Sequence, residues 1–330
     1  EALKATDKFG MTALLYASAY GFEACLRALL EASVAAGVTA EVLKATNMYG
    51  STALLALEAM DEQVLKATNE GGLTALLAAS AKGHEACLRA LLEASERAGV
   101  TEEVLKATDR DGMTLLLLAS NKGHQACLRT LLDASEKAGL TKEALRDGRA
   151  LMAASKAGQE ACLRTLLDAS EKAGITVEAL KATNTYGETA LIGASASGHE
   201  ACLRALLEAS DKAGLTKEAL SDGQALMAAS AGGHELAPPR RPRFEDVALQ
   251  KQACLRTLLA ASEKAGLTEE VLKATNVIGE TALMAASLAG QEGCVQLLLD
   301  AMEKANMLSD LNNALGGGRD KVIEMGGRNE

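Results

Sequence analysis

Apolar and polar positions alternate along this chain with a helical period. Between residues 125 and 138, Cys127, Leu128, Leu131 and Leu132 stand at i, i+1, i+4 and i+5, which is one face of a helix. Gly139 closes that helix. Asp133 and Lys137, four residues apart on the opposite side, are predicted to pair. The same pairing recurs as Glu93–Arg97, Asp168–Lys172 and Glu208–Lys212. Upstream, Thr114 to Ser120 predicts a shorter helix that stops at Gly123-His124. Before it, Thr101 to Lys106 predicts a shorter one still, with Thr101 as N-cap and acids in its first turn. Thr108-Asp109-Arg110-Asp111-Gly112 between them reads as a tight turn.

This pattern repeats. Cysteines fall at 25, 87, 127, 162, 202, 254 and 294, and three of the intervals are 40. Each cysteine opens a near-copy such as Cys87-Leu88-Arg89-Ala90-Leu91-Leu92. Copies of the first main helix begin near Ala13, Ala53, Ala75, Leu115, Ala150, Ala190, Ala225 and Ala282, which makes eight units. The second is truncated: after Met60 the chain runs into Asp61 without a cysteine helix. The fifth and seventh lack five residues at the turn and read Asp147-Gly148-Arg149 and Asp222-Gly223-Gln224. A fixed period of this size predicts stacked supersecondary units, since one unit alone leaves its apolar face bare. The array is expected to span 1–300, with 301–330 as a C-terminal cap and flexible tail. Residues 236–252 interrupt it. They hold Pro238, Pro239 and Pro242 with Arg240, Arg241 and Arg243, and read either as a loop or as a Pro/Arg docking segment.

Composition agrees with an all-α array. Of 330 residues 48% are hydrophobic, yet only 2% are aromatic, none is Trp and three are Pro. That disfavours β-sandwiches, β-barrels and aromatic RNA-binding platforms. The net charge of −10 disfavours a nucleic-acid partner. The longest uncharged stretch near the start, Gly10 to Phe22, is short of the roughly 18–20 residues a membrane span needs, so no membrane insertion is expected. Seven cysteines cannot all pair, which favours a reducing compartment, cytoplasmic or nuclear.

No catalytic constellation is visible. His84, His124, His199 and His234 share one turn position, which Phe22, Gln159 and Gln291 fill elsewhere, so they read as structural. The cysteines read as buried core thiols. The chain is therefore expected to be no enzyme, with no metal, no cofactor and no small-molecule substrate.

The chain resembles the ankyrin repeat family through Asp111-Gly112-Met113-Thr114-Leu115-Leu116, then Ala119-Ser120-Asn121-Lys122-Gly123-His124, then Leu131-Leu132. Gly72 to His84 is a cleaner copy. The family's Pro and first His are missing, and the unit is about seven residues longer than usual. The resemblance implies an ankyrin-like α-solenoid of stacked helix pairs, with a short extra helix and a finger loop per repeat. A three-helix armadillo-like solenoid is the alternative, and β-hairpin fingers would decide against it. The resemblance further implies a non-catalytic scaffold that binds a protein partner through finger tips and the concave face. The variable positions there are Phe9, Met11, Tyr20, Met48, Tyr49, Arg110, Met113, Tyr186, Val277 and Ile278. Tyr16 and Phe22, which crowd the first unit with Tyr20, read alternatively as packing against a preceding repeat. The alternative function is a structural subunit, or the repeat region of a larger multidomain protein.

Overall fold

The forty-residue unit becomes a pair of antiparallel helices plus a short third one. The computed structural model describes residues 75–231 and 244–307, together with Ala13, Phe22, Ala24, Cys25, Ala28, Leu29 and Ala32. The chain forms two compact units, one up to Thr183 and one from Asn184. In the first, the helix pairs are α1 (Ala75–Lys82) with α2 (Glu85–Ala98), α4 (Leu115–Lys122) with α5 (Gln125–Lys137), and α7 (Arg149–Lys156) with α8 (Glu160–Ala173). Short helices α3 (Thr101–Leu105), α6 (Thr141–Arg146) and α9 (Thr176–Lys181) follow each pair. In the second unit the pairs are α10 (Ala190–Ser197) with α11 (Glu200–Lys212), α13 (Gln224–Ser230) with α14 (Phe244–Ala265), and α16 (Ala282–Leu288) with α17 (Glu292–Lys304). Its short helices are α12 (Thr216–Ser221) and α15 (Thr268–Lys273).

Like packs on like. In the first unit α1, α4 and α7 form one layer, and α2, α5 and α8 the other. In the second, α10, α13 and α16 face α11, α14 and α17 in the same way. The core between the layers is the predicted leucine face. Leu88, Leu91, Leu128, Leu131, Leu163 and Leu166 are wholly buried in the first unit, and Leu203 and Leu255 in the second. Each such burial contributes about 1.5–3 kcal/mol. That is what holds short helices of five or six residues, which are not stable alone. Serines buried beside the leucines, such as Ser155 and Ser195, donate to the carbonyl four residues back at 2.8 Å.

First-helix starts at Ala75, Leu115, Arg149, Ala190, Gln224 and Ala282 lie within one residue of the expected positions. Threonine caps several of them. The hydroxyls of Thr114, Thr189 and Thr281 accept from the N–H groups of Leu117, Ile192 and Met284 at 3.2–3.4 Å.

Four expectations need correction. Thr101 is not an N-cap: Val100 holds that place, and the Thr101 hydroxyl instead meets the Ser95 hydroxyl at 3.2 Å, tying α3 to the end of α2. Lys137 does not pair along its own helix with Asp133; it reaches Glu96 of the preceding repeat at 3.5 Å. Residues 244–252 are not loop. They have neither Gly nor Pro, and they run in frame into the Cys254 helix as the first part of α14. Cys25 is exposed rather than buried; in sequence, the next unit lacks the cysteine helix that would cover it.

Candidate interaction surface

Finger loops stand between a short helix and the next threonine-capped first helix at 109–113, 184–188 and 276–280. Their geometry comes from one side chain each. Asp109 Oδ1 accepts from the N–H groups of Asp111 and Met113 at 3.0 and 2.8 Å. Asn184 Oδ1 does the same for Tyr186 and Glu188, and Asn276 Oδ1 for Ile278 and Glu280. Both asparagines also donate through Nδ2 to the carboxylate of that glutamate, at 2.8 and 3.0 Å. The backbone closes each loop: Asp109, Asn184 and Asn276 donate to the carbonyls of Met113, Glu188 and Glu280 at 3.0–3.2 Å. Single antiparallel bridges join Thr108 to Thr114 and Thr275 to Thr281. These are hairpin fingers, and they decide against the armadillo-like alternative.

With the turn backbone held from below, the tip side chains point outward. Tyr186 is 87% exposed, Val277 fully exposed and Ile278 72% exposed. Arg110 is exposed as well, whereas Met113 sits on the returning side of its finger and is half-buried. Phe9, Met11, Tyr20, Met48 and Tyr49 lie outside the described residues. The asparagine staples were not singled out in sequence. Their signal is the spacing: Asn184–Glu188 and Asn276–Glu280, against Asp109–Met113, so that an acid at the fifth place goes with an amide at the first.

The turn residue three places before each cysteine forms a second built feature. The His124 ring packs over Gly83, where a Cβ would meet it at 2.5 Å, and its Nε2–H donates to the Ala81 carbonyl at 3.2 Å. Gln159 covers Gly123 in the same way. In the second unit Lys251 takes this place over Gly198. It is 3% exposed and its Nζ donates to the Ala231 carbonyl at the end of α13. Burial pulls its pKa below the ordinary lysine value, while the neighbouring thiols of Cys294 and Cys254 act in the other direction. The insertion hid this residue in sequence. The signal was its place three before Cys254.

Six of the seven thiols are buried, and Cys25 is exposed. Burial pushes Cys127 up to about 11 and Cys254 up to about 12. Among the described residues no group of His, Cys, Asp and Glu is arranged to hold a metal ion. A cavity of about 240 Å³ under the first finger is lined by Leu105, Leu115, Leu131 and Leu140, with Lys106 at its rim between Glu102 and Glu143 at 2.9 and 3.2 Å. Its lining also includes the hydroxyls of Thr114 and Ser135 and the carboxylates of Glu143 and Asp147, with no imidazole or thiol among them. No helix among the described residues is long and apolar enough to cross a membrane.

A family model described as "Ankyrin repeats (3 copies)" matches residues 56–142, 94–179 and 134–217, and one described as "Ankyrin repeat" matches residues 278–312. No curated protein matches the chain. Among solved structures it is similar to the ankyrin repeat domain of Bcl-3, described as a unique member of the IkappaB protein family, with a TM-score of 0.52 and 21% identity over 88% of this chain and 99% of that one. It is also similar to the human ASB11 ankyrin repeat domain, with a TM-score of 0.52 and 18% identity over 87% of this chain and 98% of that one. At this identity the likeness is one of fold.

Proposed function

The chain belongs to the ankyrin repeat family, and from that premise we propose a non-catalytic scaffold that binds a protein partner through its finger tips and concave face. The observation that carries this reading is the exposure of Tyr186, Val277 and Ile278 on turns whose backbone is already fixed by Asn184 and Asn276. The fold does not use these apolar side chains, and a fixed turn loses little entropy when a partner covers them. Aromatic and large aliphatic residues are the usual anchors of such contacts. The net charge of −10 selects basic or neutral partners and speeds their arrival. Seven cysteines without a disulfide, six of them buried, support a reducing compartment, cytoplasmic or nuclear.

The test is quantitative capture from source lysate by the parent chain beside a Tyr186→Ala, Val277→Ala, Ile278→Ala variant of equal helicity and melting temperature. A protein held by the parent and lost by the variant supports the reading. A protein held equally by both refutes it for these fingers.

One observation favours the second reading, a repeat region within a larger assembly. Met284 on α16 is 53% exposed, whereas its equivalents Ile192 and Met227 are 8% exposed under the next repeat. A further repeat laid on α16 would cover Met284 and Leu288. Sedimentation over a hundredfold concentration range checks whether copies of the chain supply it.

A further inference from the structure

Not every repeat carries a finger, and the omission leaves a slot. In the second unit the fingers 184–188 and 276–280 flank the fingerless turn Asp222-Gly223-Gln224, because α13 packs between α10 and α16. Neighbouring helix pairs stack about 8–10 Å apart. Fingers two repeats apart are therefore about 16–20 Å from centre to centre. An α-helix with its side chains measures about 10–12 Å across.

In the first unit the space beside a finger is filled. Arg149, the residue after the fingerless turn there, reaches back and its Nη1 donates to the Gly112 carbonyl at 3.0 Å. A Cβ built on Gly112 meets that guanidinium at 4.0 Å. In the second unit Gln224 stands at the place of Arg149, and a Cβ on Gly187 or on Gly279 meets nothing within 4 Å. The hydrogen bond by which Arg149 spans to the finger at Gly112 has no counterpart at Gln224 among the described residues.

The slot has a definite chemistry. Tyr186 stands on one finger and Val277 and Ile278 on the other, all exposed. Exposed Asp222 belongs to the turn between them, with Glu188 and Glu280 at the finger bases. The basic residues nearest the fingers in sequence are Lys181 and Lys273, each three places before a finger; Lys273 is paired with Glu269, and Lys181 is not free either. The slot is thus apolar at its rims and acidic within.

We propose that this slot takes one amphipathic α-helix of a protein partner, apolar toward the finger tips and basic toward Asp222. The inference rests on the fingertip-binding reading and narrows it to a class of partner. An extended strand fits less well. It pairs with a neighbour at about 4.8 Å, so it serves one finger and leaves the other tip bare.

The test uses two labelled 20-residue peptides of identical Leu/Lys composition. One has its leucines at helical spacing, and the other is scrambled. Fluorescence anisotropy measures both against the parent chain, Gln224→Arg and Tyr186→Ala/Ile278→Ala, each first checked by thermal melting. The helical peptide is expected to bind the parent at least tenfold tighter than the scrambled one. Gln224→Arg, which restores the plug seen at Arg149 and adds positive charge, is expected to weaken it at least tenfold. Equal binding of the two peptides overturns the proposal, because attraction by charge alone does not distinguish them. If the tip variant loses binding while Gln224→Arg keeps it, the slot falls and the fingertip reading stands. If the tip variant binds like the parent, both fall.

Discussion

Gly148 sits against the end of the next short helix, so that a Cβ there would lie 2.4 Å from the Cβ of Ala182 and 2.9 Å from the Ala179 carbonyl oxygen. In the second unit Gly223 meets Ala274 and Val271 in the same way, at 2.4 and 3.0 Å. Both close approaches occur at the two fingerless turns, where the glycine lies directly on the end of the following short helix.

Gly148→Ala is therefore expected to cost roughly 2–5 kcal/mol, the sum of a left-handed non-glycine residue and a steric overlap. Gly139→Ala is the control. It has φ 70°, near the 63° of Gly148, but nothing within 4 Å of its Cβ. It should cost only about 1–2 kcal/mol. Urea denaturation of both separates strain from packing. Equal midpoints would show that the close approach to Ala182 carries no energy.

Much of this fold was legible in sequence because it depends on local spacing. The leucines at i, i+1, i+4 and i+5 became the buried layer, and helix starts followed the Thr-Ala-Leu motif. What was not legible depends on neighbours far along the chain. Thr101 and Thr114 look alike in sequence, yet one hydroxyl finds the Leu117 N–H and the other finds Ser95. Lys137 chose Glu96 in the preceding repeat over Asp133. Asp-Gly at 147–148 announces a turn but not the methyl group of Ala182. At the finger tips, sequence variability picked out Tyr186, Val277 and Ile278, while the residues that present them, Asn184 and Asn276, look like ordinary turn formers.

The finger staple makes a prediction about paired positions. In Asn276→Asp the new carboxylate keeps its acceptor role, but it replaces the Nδ2 donor that now meets Glu280 at 3.0 Å. Two like charges then share that contact, and their pKa values rise above the unfolded ones. The variant should lose about 1 kcal/mol at pH 7, and the loss should vanish as pH falls below about 4. Adding Glu280→Met recreates the Asp109–Met113 pairing of the first finger and should restore the parent's stability. Thermal melts at the two pH values check both arms; failure of the second substitution to rescue would refute the pairing.

Thiol reactivity should divide the cysteines six to one. Cys87, Cys127, Cys162, Cys202, Cys254 and Cys294 are buried, and Cys25 is exposed. With Cys127 up at about 11 and Cys254 at about 12, the thiolate fraction at pH 8 is negligible at those two sites. A thiol reagent such as DTNB should label Cys25 quickly in the native chain, with the others following only at the rate of unfolding. Peptide mapping after brief labelling identifies the site. Fast labelling of Cys254 would contradict the packing of α14.

Lys251 should make stability depend on pH in a direction opposite to a normal ion pair. Its Nζ is buried, and its pKa lies below the ordinary 10.5 because burial disfavours the charge. Between the folded and unfolded pKa values the unfolded chain holds more protons, so stability rises with pH across that window. Below it, burial of the charged amine costs its full amount. Lys251→Met removes the titration and the hydrogen bond to the Ala231 carbonyl together. The lost hydrogen bond is a constant, because a neutral amine donates too. The charge penalty is not constant. The melting temperature of the variant relative to the parent should therefore be highest at neutral pH and decline as pH climbs toward 10.5. A difference that stays flat from pH 7 to 10.5 would mean that Lys251 remains normally charged in the folded chain. The start of α14 would then have to leave its Nζ open to water.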